Sequence, residues 1–290
     1  MIKKILIIGI KGMAGHVIHK YFSNLDGFDV YGIARNIESS NKNFNLDVSD
    51  INELREIIQN SNFDYIINCI GILNKDAEDN PSKSIWFNSY FPHFLEEITA
   101  NSSTKIIHIS TDCVFNGKKG GYTENDVKDG IGFYAQTKSL GEINNEKDLT
   151  IRTSIIGPEL TEHGIGLFHW FMMTSKNSIL KGYSQAYWSG ITTLELAEVI
   201  ENALLENITG LIQVAPASKI DKYNLLLLFN TLYRENKMVI NIDDSYKVDK
   251  SLVSIREDFS YKVRDYHEML LRQKEWIRKD KQLYSHYTDI

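Results

Sequence analysis

Apolar residues in the first half of the chain come in short unbroken runs. These alternate with stretches whose apolar positions recur every three or four residues. The runs at 5–8, 29–33, 44–46, 65–70, 106–110 and 149–156 read as strands buried on both faces. Between them, 13–22 carries Val17, Ile18, Tyr21 and Phe22 at helical spacing, and Asp50 is placed to cap a helix over 51–59. Pro81 opens a longer helix to about residue 99, and 133–143 is helical. Parallel strands need crossover connections, and those connections are right-handed. The pattern therefore predicts an α/β fold built on a doubly wound parallel sheet.

After Gly157 the rhythm changes, and aromatic residues thicken between His163 and Trp188. A helix is expected over 192–205, a strand returning to the sheet at 211–214, and a helix over 221–234. The charged tail 258–281 places Met269, Leu270, Trp276 and Ile277 on one apolar face. The expected division is a main domain of residues 1–157, rejoined by 189–214, with a smaller domain of 158–188 and 215–290 interleaved with it.

Composition narrows the function classes. With 290 residues, 42% of them hydrophobic and 24% charged, the chain can bury a core without disulfides or metals. A net charge of −6 argues against general binding of nucleic acid. The apolar run from Ile5 stops at Lys11, too short for a secretory signal, and no window approaches the ~18 apolar residues of a spanning helix. A cytoplasmic protein without a membrane partner is expected. Two cysteines, Cys69 and Cys113, form no zinc spacing, so no metal is expected.

Gly9-Ile-Lys11-Gly12-Met13-Ala-Gly15 follows the first strand and opens the first helix. Gly9 permits a tight turn, Gly12 lets backbone approach a pyrophosphate, and Gly15 allows close helix–sheet packing. Arg35 closes the second strand, where a carboxylate would take ribose hydroxyls and a cation would take a 2′-phosphate. NADPH is therefore the expected cofactor, with NADH as the alternative. Asp47 and Val48 end the third strand, where a side chain meets an adenine ring, although Asp47 is equally placed to cap a turn. Asn68, Cys69, Ile70 and Gly71 end the fourth strand, and Ser110 ends the fifth; all but Asn68 join the expected cofactor set with the residues above.

Tyr134 lies four residues before Lys138, on one helix face. Lys138 would depress the Tyr134 phenol and bind a cofactor ribose, while Tyr134 would protonate a carbonyl oxygen as hydride arrives. Tyr233/Lys237 and Tyr246/Lys250 repeat the spacing, but neither follows the fifth strand, and both are expected at the surface. His163 and His169 read as packing or surface histidines and Glu142 as structural.

The glycine loop, Ser110-Thr-Asp-Cys-Val-Phe-Asn-Gly117, Gly121-Tyr-Thr-Glu124, Tyr134-Ala-Gln-Thr-Lys138 with Gly141-Glu142, and Ile151-Arg-Thr-Ser154 together resemble the extended short-chain dehydrogenase/reductase superfamily. Within it they are most similar to the dTDP-4-dehydrorhamnose reductase family. The resemblance implies a Rossmann-like fold and a catalytic triad of Thr111, Tyr134 and Lys138, with Asp112 and Val114 touching the sugar. Trp188 is a further expected substrate contact. The implied activity is reduction of the 4-keto group of a nucleoside-diphosphate 4-keto-6-deoxy sugar, in deoxysugar or surface polysaccharide synthesis. Two alternatives stand beside it: an NAD-dependent sugar-nucleotide epimerase and a non-catalytic NADP-binding regulatory subunit. Arg35, where epimerases carry an acid, weighs against the first. Cys113, where related dehydratases carry a second acid, weighs against loss of water. A homodimer is left open.

Overall fold

The computed structural model describes residues 2–288 and 290. In chain order, β1 (Lys3–Ile8), α1 (Met13–Ser23), β2 (Phe28–Ala34), β3 (Asn43–Asn45), α2 (Ile51–Ser61) and β4 (Tyr65–Asn68) come first. They are followed by α3 (Asn74–Asp79), α4 (Pro81–Ser84), a π-helical stretch Ile85–Tyr90, α5 (Phe91–Ile98), β5 (Lys105–Thr111), α6 (Phe133–Leu140), β6 (Leu149–Thr153) and β7 (Ile155–Ile156). The rest comprises α7 (Leu167–Met173), β8 (Ile179–Trp188), β9 (Ile191–Thr192), α8 (Thr193–Leu205), β10 (Gly210–Gln213), β11 (Ile220–Asp221), α9 (Lys222–Arg234), β12 (Val239–Asp249) and α10 (Tyr266–Lys279).

Seven parallel strands form the central sheet in the order β10-β6-β5-β4-β1-β2-β3. The order reverses between β1 and β4, so the carboxyl ends of those strands open a crevice at the sheet's switch point. Ile5 and Ile7 point to one face and Leu6 and Ile8 to the other, each fully buried in a separate core cluster. That is why β1 reads as an unbroken apolar run. Asp50 caps α2 by accepting the Glu53 N–H at 3.1 Å. No helix among the described residues is long and apolar enough to cross a membrane.

Three expectations change. The helix over 81–99 runs without a break to Ile98 but passes through a π-helical stretch. Pro92 has no N–H for the Asn88 carbonyl four residues back, and the ladder relaxes around it. Gly141, just past α6, packs on that carbonyl: a Cβ there would stand 1.8 Å from Asn88 O. The run 149–156 is two strands, because at Ser154 the chain leaves the main sheet. The Trp188 indole donates to Ser154 Oγ at 2.8 Å, and β7 then pairs with β9. Tyr233, expected at the surface, is 2% exposed and donates to the Leu270 carbonyl at 2.7 Å, tying α9 to α10.

A second sheet, β11-β8-β12, was not visible in the sequence. Leu180 and Gly182 of β8 face inward, and Gly182 lies against α9, where a Cβ would stand 2.6 Å from the Tyr223 Cα.

Candidate functional site

The first βα turn has the geometry its glycines suggest. Gly9 adopts φ +95°, a conformation that L side chains rarely take. A Cβ on Gly15 would stand 2.1 Å from the Gly9 carbonyl oxygen, so α1 can approach the turn only without a side chain there. Gly15→Ala should lose about 1–3 kcal/mol of stability through overpacking, read by thermal unfolding. Gly12 is the N-cap of α1; no side chain caps this helix and its first turn holds no acid. Its N–H groups thus remain available to an anion.

Two neighbouring cavities open at the carboxyl edge. One, of about 420 Å³, is lined by Gly9, Lys11, Arg35, Asp47 and Val48 among others. The other, of about 450 Å³, is lined by Met13, Ser110, Thr111, Asp112, Tyr134 and Lys138 among others. Gly12, Cys69, Ile70 and Gly71 line both, so the two spaces meet over the glycine loop. Arg35 is two-thirds exposed and donates to Asp47 Oδ2 at 3.2 Å, while Asp47 Oδ1 accepts from the Ser49 N–H and hydroxyl. Asp47 therefore caps a turn while lining the cavity.

Helix α6 carries Tyr134 and Lys138 to the second cavity. Its N-terminus is capped by a residue the sequence did not single out: Glu78 of α3 accepts the Phe133 and Tyr134 N–H groups at 3.0 and 3.1 Å. Gly132, at φ +95°, leaves room for that carboxylate, since a Cβ would meet Glu78 Oε1 at 2.6 Å. Lys138 is 3% exposed; its Nζ donates to the Ile109 carbonyl at 2.7 Å and lies 3.2 Å from His108 Nε2.

Burial sets the electrostatics. It pushes the Tyr134 phenol above its ordinary value; Cys113 and Asp112 push the same way, and only the Thr111 hydroxyl opposes. Lys138 contributes no lowering, because its Nζ is held against β5 by the Ile109 carbonyl. Burial brings Lys138 itself down to about 8. It also raises the Asp112 carboxyl, against the pull of Lys250 and Lys222. A phenol held high stays protonated at neutral pH, the state a proton donor needs.

Two expected substrate contacts lie elsewhere. Val114 is fully buried and packs in a small cluster with Phe115, Tyr122 and Leu252. Trp188 is 4% exposed, held by Ser154 and covered by the Lys222 ammonium 4.8 Å from its ring centroid. Both pack in the interior and neither lines the cavity. In their place Ser154, Glu159, Ile165 and Leu167 close the cavity from the second half of the chain. No spacing signalled them, since the chain reaches the site there through loops. His163 is exposed, whereas His169 is buried against the Tyr287 hydroxyl at 2.8 Å. Among the described residues no cluster could hold a metal ion.

The RmlD substrate binding domain family matches residues 3–166, more than half of the chain, and the chain belongs to that family. A dTDP-4-dehydrorhamnose reductase of Mycolicibacterium smegmatis is 29% identical over 145 residues, 49% of this chain and 41% of that protein. The match thus spans well under two thirds of that relative. Among solved structures, a hypothetical dTDP-4-dehydrorhamnose reductase from Sulfolobus tokodaii superimposes with a TM-score of 0.73 at 26% identity, over 86% of this chain and 91% of that one. A dTDP-4-dehydrorhamnose reductase from Bacillus anthracis, in complex with NADP, shares the fold with a TM-score of 0.80 at 17% identity, over 95% and 99% of the two chains.

Proposed function

We propose that this member of the RmlD substrate binding domain family is an NADPH-dependent reductase of a nucleoside-diphosphate 4-keto-6-deoxy sugar. One observation carries the reading: Thr111, Tyr134 and Lys138 line a cavity that joins the one over the glycine loop, the two sharing Gly12 of the loop and Cys69, Ile70 and Gly71 at the end of β4. The loop fits a dinucleotide, because the α1 N-terminus offers uncapped N–H groups and the Gly9–Gly15 contact leaves no room for side chains. A nicotinamide cofactor bound there would supply hydride to the keto carbon. Tyr134, protonated at neutral pH, gives its phenolic proton to the oxygen that gains charge, and Thr111 orients that oxygen through its hydroxyl. Lys138 holds the ribose. The balance is one hydride and one proton added to a C=O bond.

Arg35 supports NADPH as the reductant. It lines the first cavity with Lys11 and Lys83; Asp47 and Asp76 line it too and pair with Arg35 and Lys83, so Lys11 leaves the space with a net positive charge that favours a 2′-phosphate. Arg35→Glu is expected to lower kcat/KM for NADPH about 10- to 100-fold relative to NADH. This corresponds to losing roughly 1.5–3 kcal/mol of charge-assisted hydrogen bonding. Steady-state kinetics with both cofactors checks it. A panel of keto-sugar nucleotides, followed at the nicotinamide absorbance band, tests the substrate. Turnover confined to 4-keto-6-deoxy sugars is expected, and a folded protein that turns over none of them overturns the assignment. Epimerisation without net oxidation of NADPH would establish the epimerase instead.

A further inference from the structure

Behind Lys138 lies a row of polar side chains that the proposed reaction does not use. Asn68 of β4 and His108 of β5 are register partners, and both are fully buried. Asn68 Oδ1 accepts the Ile70 N–H at 3.1 Å. That bond fixes the amide orientation, so its Nδ2 is the atom facing His108 Nδ1, at 3.2 Å. Beyond the ring, His108 Nε2 faces Lys138 Nζ at 3.2 Å, and Nζ donates to the Ile109 carbonyl at 2.7 Å.

The donors and acceptors of this row can be assigned one by one. Burial keeps His108 well below its ordinary value, so the ring is neutral and carries one N–H. The Asn68 amide donates to Nδ1, which must therefore accept. The single ring proton is then on Nε2 and points at Lys138. An ammonium there has three N–H bonds and no lone pair, and would meet the ring N–H donor to donor. A neutral amine accepts that N–H with its lone pair and still donates to Ile109, so a ring N–H at Nε2 lowers Lys138 further, below the value of about 8 that burial sets against Glu142 and Cys69. Turning Asn68 over relieves nothing, because its NH₂ would then face the Ile70 N–H.

We propose that Asn68 and His108 are positioning residues that set Lys138 as a neutral amine, lone pair toward His108, in the ligand-free protein. The inference rests on the reductase reading only for what Lys138 does later. A ribose hydroxyl that needs a donor from Lys138 would draw a proton onto the amine, so cofactor binding would take up a proton. The other groups facing this row are few. Cys69 at the end of β4 and Glu142 beyond α6 both favour the charged amine, against burial. His93 of α5 and Lys138 itself both disfavour charge on His108.

The test is spectroscopic and needs no turnover. Imidazole ¹⁵N shifts of the full chain should show His108 neutral with the proton on Nε2, and the Lys138 ¹³Cε shift should be that of an amine at neutral pH. Asn68→Asp keeps the acceptor for Ile70 but presents a second acceptor to Nδ1. It should move the ring proton to Nδ1, free Nε2 to accept, and raise the proton affinity of Lys138 about tenfold or more, one pH unit of midpoint. A wild-type ring protonated on Nδ1, or an ammonium signal at neutral pH, overturns the proposal. So does a folded Asn68→Asp protein with unchanged tautomer and midpoint. If that variant does not fold, the wild-type spectra decide alone. A protein that reduces no sugar nucleotide can still pass these tests, so the two readings fail separately.

Discussion

Tyr134→Phe should lower kcat for the keto sugar by about two to four orders of magnitude, the range of a positioned proton donor. NADPH affinity should remain close to that of the unaltered protein. The phenol lines the cavity beside Thr111, and burial keeps it protonated at neutral pH. The ring itself stays, so the cavity wall and the Glu78 cap on the backbone of α6 are untouched. Stopped-flow turnover paired with cofactor fluorescence titration separates the two effects. A variant that binds NADPH weakly would show Tyr134 to be a wall of the cofactor site. A variant that turns over normally would remove it from the chemistry.

The second large effect is on stability. Glu142 takes the Arg152 guanidinium on both carboxylate oxygens at 2.8 Å, the Ser110 hydroxyl at 2.7 Å and the Lys128 ammonium at 3.0 Å. The side chains of Glu142 and Arg152 are each 2% exposed. Glu142→Ala would strand a buried guanidinium and should cost about 3–5 kcal/mol in urea denaturation. It also frees Ser110, next to Thr111, so kcat should fall with stability. The pH dependence has a definite sign. Burial pushes the Glu142 carboxyl up, but Arg152, then Lys128 and Ser110, outweigh it and leave the folded value lowered. Its contribution is therefore present above the ordinary carboxylate range and disappears as pH falls through the lowered folded value. The gap between wild type and Glu142→Ala should close at acid pH.

Strands β1, β4 and β5 were legible because strands covered on both faces become continuous apolar runs, a signal independent of partners. The glycine loop was legible because φ at Gly9 and the Gly9–Gly15 contact leave no other residue type there. The positions of Tyr134 and Lys138 followed from one helical turn of spacing after β5. What was hidden depended on partners far along the chain. Glu78 caps a helix 55 residues later, and only the folded chain shows the two together. The strand β8 carries Lys181, Ser184 and Gln185 on a partly exposed sheet, so its pattern resembles a loop. Trp188 was misplaced for a related reason: a large aromatic suits stacking on a nucleotide base, yet here the ring is buried and Ser154 takes its N–H. The same limit applies to Lys138. Its spacing from Tyr134 suggests a charge acting on the phenol, whereas its contacts are with Ile109 and His108.

The central claim is that hydride goes from a nicotinamide to a sugar carbonyl at the mouth of this cavity. Incubation with NADPH deuterated at the transferable position and a nucleoside-diphosphate 4-keto-6-deoxy sugar, followed by mass spectrometry of the sugar, tests it most directly. Stoichiometric deuterium on the former carbonyl carbon is expected from the unaltered protein, with labelling about two to four orders of magnitude slower in Tyr134→Phe. A sugar recovered without deuterium, or a label delivered equally fast by both proteins, would contradict the claim.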